Sequence, residues 1–193
     1  MSKSRAVVAI DYSISCPAIT VYAVEQRAFS FENCKHFFLC DKKSRVEKSR
    51  TLPNVYGVLH KDYGSDEERY NNISWWVMGC ISNYHVVSVA IEDYAFGAKG
   101  MVFKIGENTG QLKHQLWNHK IPYTLYSPTV IKKFATGKGN AKKEHMAEAF
   151  IRDTGIDLPE ILGTKDILDN SPTSDIIDAF YLCKMQTKLL NLQ

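Results

Sequence analysis

Four acids stand where a carboxylate is costly unless something answers its charge. Asp11 ends the apolar run V-V-A-I, and Glu92 ends a second run, V-V-S-V-A-I. Asp175 and Asp178 lie in S-D-I-I-D-A-F-Y-L, among isoleucines, an alanine and aromatic residues. A buried, unpaired carboxylate costs several kcal/mol or surrenders its charge through a raised pKa. Singly, each acid has an ordinary reading: Asp11 or Glu92 as a turn cap, Asp93 as the surface acid instead of Glu92, Asp175 as a charge favouring a helix start. Asp178 is the hardest to dismiss, because its neighbours are so apolar. Together the four would repel one another. Hard divalent cations such as Mg²⁺ or Mn²⁺, which prefer oxygen ligands, resolve that repulsion. Two such ions about 3.5–4 Å apart serve the attacking and leaving oxygens of a phosphodiester, one activating a water and the other stabilising the departing 3′-oxygen.

The elements that must position these acids are legible from hydrophobic periodicity. Residues 5–10, 17–25 and 28–39 read as three early strands with short links, an antiparallel meander. Residues 41–64 are polar, with Pro53, Gly57 and Gly64, and read as a surface loop. Ser65 and Glu68 form an S-x-x-E capping box, opening a helix whose buried face carries Ile73, Trp76, Val77, Cys80 and Ile81. A strand over 86–91, a Gly-containing loop, a helix near 104–119 and a short strand over 121–126 follow. Ser127-Pro128 opens a helix that stops near Gly137, and G-K-G-N-A-K-K leads into another from about Lys142 to Arg152. Residues 153–171 read as loop, and Pro172 opens the last helix. Spacing i, i+3 puts Asp175 and Asp178 on one face of it. The expected fold is α/β: a mixed five-stranded sheet, three antiparallel strands then two parallel, flanked by helices in a single domain over 1–193. Neighbouring strands would bring Asp11 and Glu92 side by side at the sheet edge.

Bulk composition bounds the rest. With 193 residues, 45% of them hydrophobic, the chain suffices for one packed core. No apolar run approaches a membrane span, and no export signal is expected. The five cysteines, an odd number with no C-x-x-C pair, fit neither a disulfide framework nor a zinc site, so a cytoplasmic protein is expected. A net charge of +3 is too mild to argue nucleic-acid binding, but Lys132, Lys133, Lys138, Lys142 and Lys143 cluster within twelve positions. That cluster is either a solvated helix face or a phosphate contact, which the G-K-G-N amides would reinforce. Lys143 is the candidate to stabilise charge at a scissile phosphate. His145 follows the lysine loop without clear sign of entering the site. Trp75, Trp76 and Trp117 read as core or dimer interface.

A strand ending A-I-D-Y-S, a strand ending V-A-I-E-D-Y and a helix bearing S-D-I-I-D-A-F together resemble the RuvC-type Holliday junction resolvases, which have the RNase H-like fold. That resemblance implies Asp11, Glu92, Asp175 and Asp178 as catalytic, metal-binding carboxylates for two Mg²⁺, with Mn²⁺ as a substitute. A-F-G-A-K-G resembles the family's aromatic loop, which makes Phe96 the residue that inserts at a junction and adds Lys99 to the DNA contacts. T-V-I-K-K-F-A-T-G-K-G-N-A-K-K-E-H-M resembles its lysine segment, matching Lys132 and Lys143. The implied activity is Mg²⁺-dependent resolution of four-way junctions, flaps or forks by a homodimer. Tyr12-Ser13 stands where the cellular family has Pro-Gly or a similar pair, and residues 41–64 match nothing in it. Those departures resemble the divergent phage-encoded members, which cut branched DNA broadly in the host cytoplasm. Other RNase H-like nucleases, acting on RNA–DNA hybrids, as exonucleases or in YqgF-type RNA processing, share the acids. So does a non-catalytic branched-DNA-binding protein. A sugar-kinase or actin-like ATPase would need glycine-rich phosphate loops, which are not found.

Overall fold

A computed structural model of the chain describes residues 3–25, 28–93, 101–165 and 170–192. Six strands form one sheet, five of them on or near the expected segments: β1 (Arg5–Asp11), β2 (Ala18–Ala23), β3 (Cys34–Cys40), β4 (Val55–Leu59), β5 (His85–Glu92) and β6 (Tyr123–Tyr126). Their order is β4-β3-β2-β1-β5-β6. β1–β2 and β2–β3 are antiparallel, and β3–β4, β1–β5 and β5–β6 are parallel. The five-stranded sheet is thus corrected to six. The extra strand, with helix α1 (Lys43–Ser49), lies inside the segment read as loop.

β1 shows why the sheet is central. Ala6, Val8 and Ile10 enter one apolar cluster, Val7 and Ala9 the other, as period-two alternation requires of a strand covered on both faces. On the first face lie α2 (Asp66–Ile81) and α3 (Val102–Asn118), contributing Ile73, Val77, Ile81, Leu112 and Leu116. On the second lie α4 (Pro128–Thr136), α5 (Lys143–Thr154), the short α6 (Leu158–Leu162) and α7 (Thr173–Leu189). Residues 153–171 therefore include a helix that composition did not show. Residues 28–33 are turn rather than strand, and Phe29 and Phe31 bury their rings edge-on against Tyr22 and Phe150. Among the described residues, no helix is long and apolar enough to cross a membrane.

Local chemistry sets the helix ends. Ser65 Oγ accepts from the Glu68 amide at 3.2 Å, while Glu68 Oε2 reaches back to the Gly64 amide at 2.8 Å, one residue earlier than a standard capping box. Pro128 opens α4 at its first position, and Ser127 caps it with backbone alone. Gly137 ends α4 at φ +80, in left-handed backbone. Gly139 is glycine for room: a Cβ there would stand 2.6 Å from Thr129 Cγ2.

The rotation of α7 over the sheet is fixed by a buried polar chain. Gln186 Nε2 donates to Ser88 Oγ at 2.8 Å, and Tyr126 donates its hydroxyl to Gln186 Oε1 at 2.6 Å. Gln186→Leu would strand two buried polar groups, so denaturant melts are expected to show a loss of about 1–3 kcal/mol.

Candidate functional site

β1 and β5 are parallel neighbours with Ile10 opposite Ile91, so the next residues, Asp11 and Glu92, emerge side by side at the carboxyl edge of the sheet. α7 packs across β1, β2 and β5. It buries Ile176, Ile177, Ala179 and Phe180, and this seating turns Asp175 and Asp178 toward the strand ends. One carboxylate oxygen each from Asp11, Glu92 and Asp178 lies within 4.8 Å of the others. All four acids line one cavity of about 360 Å³, with Lys132 from α4 and Lys143 from α5.

Asp175 stands apart from the close triad. Its carboxylate accepts hydrogen bonds from the Ser171 side chain and the Cys16 thiol. Its Oδ2 is nonetheless buried without a hydrogen-bond partner. Ser171 is held in turn by Arg45, which is only 5% exposed and donates to the Ser171 carbonyl. Neither Cys16, Ser171 nor Arg45 was signalled by spacing. Arg45 stands in a basic run with Lys42, Lys43, Lys48 and Arg50, whose charge alone gives no sign of this contact.

Electrostatics show an unanswered charge. Burial, then the neighbouring carboxylates, hold Asp11 well above the usual carboxylate range. The same causes push Glu92 up to about 8 and Asp178 up to about 7. Burial also raises Asp175, against the pull of Ser171 and Lys143. Lys132 opposes the rise at Glu92 and Asp178, and Lys143 opposes it at Asp11, Asp175 and Asp178, but the lysines do not cancel it. An all-oxygen donor set, three oxygens in mutual reach and an orphaned fourth carboxylate oxygen fit a hard divalent cation, not a thiolate- or imidazole-seeking metal.

The other expected residues fall into place as follows. Lys143 Nζ lies 3.4 Å from Ser174 Oγ, at the cavity mouth. Lys133, Lys138 and Lys142 are exposed outside the cavity, around the turn that Gly137 and Gly139 shape. His145 caps α5, its Nδ1 accepting from the Lys142 amide at 3.2 Å, so it is occupied away from the acids. Phe96 and Lys99 lie outside the described residues. Tyr12 is buried in the apolar cluster beneath α2, and Ser13 Oγ accepts from the Cys16 amide at 2.9 Å, tightening the turn after Asp11. That turn lines a second cavity of about 370 Å³, which shares Asp11 and Glu92 with the first. A larger cavity, about 800 Å³, opens at the opposite end of the sheet between Trp75, Ser82, His85 and His119. No acid among the described residues lines it, and its size alone gives it no chemistry.

Comparison with known proteins decides the family. The family model described as "Crossover junction endodeoxyribonuclease RuvC" matches residues 46–169. The chain belongs to the RuvC family. The RuvC of Chlamydia abortus is 30% identical over 138 residues, covering 70% of this chain and 78% of that protein. The RuvC of Cytophaga hutchinsonii is 28% identical over 116 residues, 58% of each. The structure of Thermus thermophilus RuvC superposes with a TM-score of 0.58 at 21% identity, covering 97% of both chains. The yeast mitochondrial Holliday junction resolvase Ydc2 superposes at 0.52 and 12% identity, covering 98% of this chain and 82% of that one. The RNase H-like sheet expected of the family is therefore present, with six strands and β4 at its edge.

The raised carboxyls make a prediction. Their folded-state pKa values lie above the unfolded ones, so protonation favours the metal-free fold. That advantage is lost as pH rises through about 7 for Asp178 and about 8 for Glu92. A divalent cation competes with those protons. Mg²⁺ is expected to raise the melting temperature by several degrees more near pH ~8.5 than near pH ~6. Asp11→Asn combined with Asp178→Asn should erase that difference in a thermal melt.

Proposed function

We propose that residues 1–193 form one nuclease domain, a Mg²⁺-dependent, structure-selective endodeoxyribonuclease that resolves four-way junctions and related branches by two-metal hydrolysis. The observation that carries this is the meeting of Asp11, Glu92 and Asp178 within 4.8 Å in a cavity edged by Lys132 and Lys143. The solved structure titled "T. thermophilus RuvC in complex with Holliday junction substrate", with a TM-score of 0.59 at 16% identity over 95% of both chains, is consistent with branched DNA as the substrate.

Asp11, Glu92 and Asp178 would hold the ions, with Asp175 completing the set through its orphaned Oδ2. Bound Mg²⁺ supplies an activated water and charge stabilisation at the leaving oxygen. Lys143 sits where it can hold a non-bridging oxygen of the scissile phosphate, and Lys132 partly offsets the rise at Glu92 and Asp178, easing their ionisation. Lys133, Lys138 and Lys142 track neighbouring phosphates, setting register without reading sequence. Phe96 and Lys99, four and seven residues beyond Glu92 on the chain, are assigned to the junction on sequence alone. The cytoplasm is the proposed place of action, where a buried thiol such as Cys16 stays reduced.

A homodimer is part of the proposal, because paired cuts across a four-way junction need two sites. The Ile73, Val77 and Ile81 face of α2 is spent on the sheet. The outer face of α3 is not: Phe103 is 83% exposed and Trp117 73%, with His114 stacked on Trp117 at 6.3 Å. A second copy of the chain fits there.

A synthetic four-way junction, mapped on all strands with and without Mg²⁺, tests the reading. Paired symmetric cuts that require the ion are expected. Asp11→Asn should lower cutting at least about 1000-fold while leaving junction binding intact. Cutting of RNA–DNA hybrids alone, or undiminished cutting by Asp11→Asn, would overturn it. Trp117→Glu is expected to elute as a monomer by size-exclusion with light scattering and to lose the pairing of cuts.

A further inference from the structure

Directly after Asp11 the chain makes the turn whose residues Ser13, Ile14 and Ser15 wall the second cavity. The two cavities meet at Asp11 and Glu92. On the nuclease reading, a strand with its phosphate on the carboxylates would pass from one into the other, against this turn. Inside the turn Ser13 Oγ accepts from the Cys16 amide, and two consecutive carbonyls of the turn are gripped from outside. Arg69 Nε, from α2, donates to the Ile14 carbonyl at 3.2 Å. His60 Nε2, just past β4, lies 3.0 Å from the Ser15 carbonyl. A carbonyl only accepts, so Nε2 carries the proton. His60 Nδ1 then faces the Tyr63 hydroxyl at 2.8 Å, and that hydroxyl also lies 3.1 Å from Asn72 Oδ1. The Arg69 guanidinium sits over the Tyr63 ring, 5.6 Å from its centre. None of these four side chains lines either cavity that opens at the acids.

We propose that His60 and Arg69 are positioning residues that set which phosphodiester is cut, by latching the Ile14–Ser15 turn that walls the groove beside Asp11. This rests on the nuclease reading above. It gives the segment that carries β4 a role: it delivers His60 to the back of the substrate wall. Slackening the latch leaves the acids and lysines untouched but lets the wall move. A loosened wall no longer fixes the register, and a slip of one nucleotide offers a neighbouring phosphate to the carboxylates.

The test compares wild type, His60→Ala, His60→Gln and Tyr63→Phe. A glutamine amide nitrogen reaches about as far as Nε2 and can donate to the Ser15 carbonyl. Tyr63→Phe keeps the ring under Arg69 and removes only the hydroxyl that holds His60. On a four-way junction with Mg²⁺, His60→Ala is expected to scatter cuts over adjacent phosphodiesters and raise KM about tenfold, with kcat within about threefold. His60→Gln should restore the wild-type map, and Tyr63→Phe should show a weaker scatter. Amide hydrogen exchange at residues 13–16 should quicken in His60→Ala and return to normal in His60→Gln. An unchanged cut map, unchanged exchange, or a loss that His60→Gln does not repair overturns the latch. Should wild type leave junctions intact, the nuclease reading falls, and exchange alone still decides whether the latch exists.

Discussion

The fold is arranged around a repulsion. Asp11, Glu92 and Asp178 are held together where burial already disfavours their charge, and neighbouring carboxylates add to it: Glu92 and Asp178 raise Asp11, Asp178 raises Glu92, and Asp175 raises all three. A structure gains nothing from this arrangement in the absence of a cation. The surrounding elements hold the acids in position against it. Adjacent parallel strands fix Asp11 and Glu92, and a helix buried along most of its length fixes Asp178. The Ser88–Gln186–Tyr126 chain keeps that helix from rotating the acid away. Two lysines at the rim lessen the repulsion without abolishing it, which leaves the acids both ionisable near neutrality and in need of a metal.

Support for the site also arrives from residues 41–64, expected to match nothing in the family, although the RuvC family model covers them from residue 46 onward. Arg45 of α1 holds the Ser171 carbonyl, and the Ser171 side chain bonds Asp175. From the other end of the same segment, His60 holds the turn after Asp11. Tyr12-Ser13, the departure beside the first acid, also acquires a physical meaning. Tyr12 anchors the turn in the apolar cluster, and Ser13 caps it through the Cys16 amide, placing Cys16 where its thiol meets Asp175.

What could be read from sequence follows from where apolar demand is strong. β1, β5 and α7 are predominantly apolar where they are buried, and the acids that interrupt them stand out for that reason. β4 did not stand out: V-Y-G-V-L is an edge strand whose Tyr56, Val58 and Leu59 stay exposed, interrupted by Gly57, so it shows no alternation. The aromatic run at 28–33 looked like strand because its rings need burial, and a turn met that need instead. Asp175 and Asp178 looked equivalent by spacing. They differ because Cys16, distant in sequence, and Ser171, in the turn just before α7, reach only the first. Arg69 and His60 act on backbone carbonyls, which leave no mark in the side-chain pattern.

The central claim is that these acids exist to hold a divalent cation. A crystal soaked in Mn²⁺ and measured at its absorption edge tests it most directly. Anomalous density between Asp11, Glu92 and Asp178, lost in Asp11→Asn, is the result expected. An empty cluster at Mn²⁺ concentrations that saturate known carboxylate sites, or density only elsewhere on the protein, would contradict it.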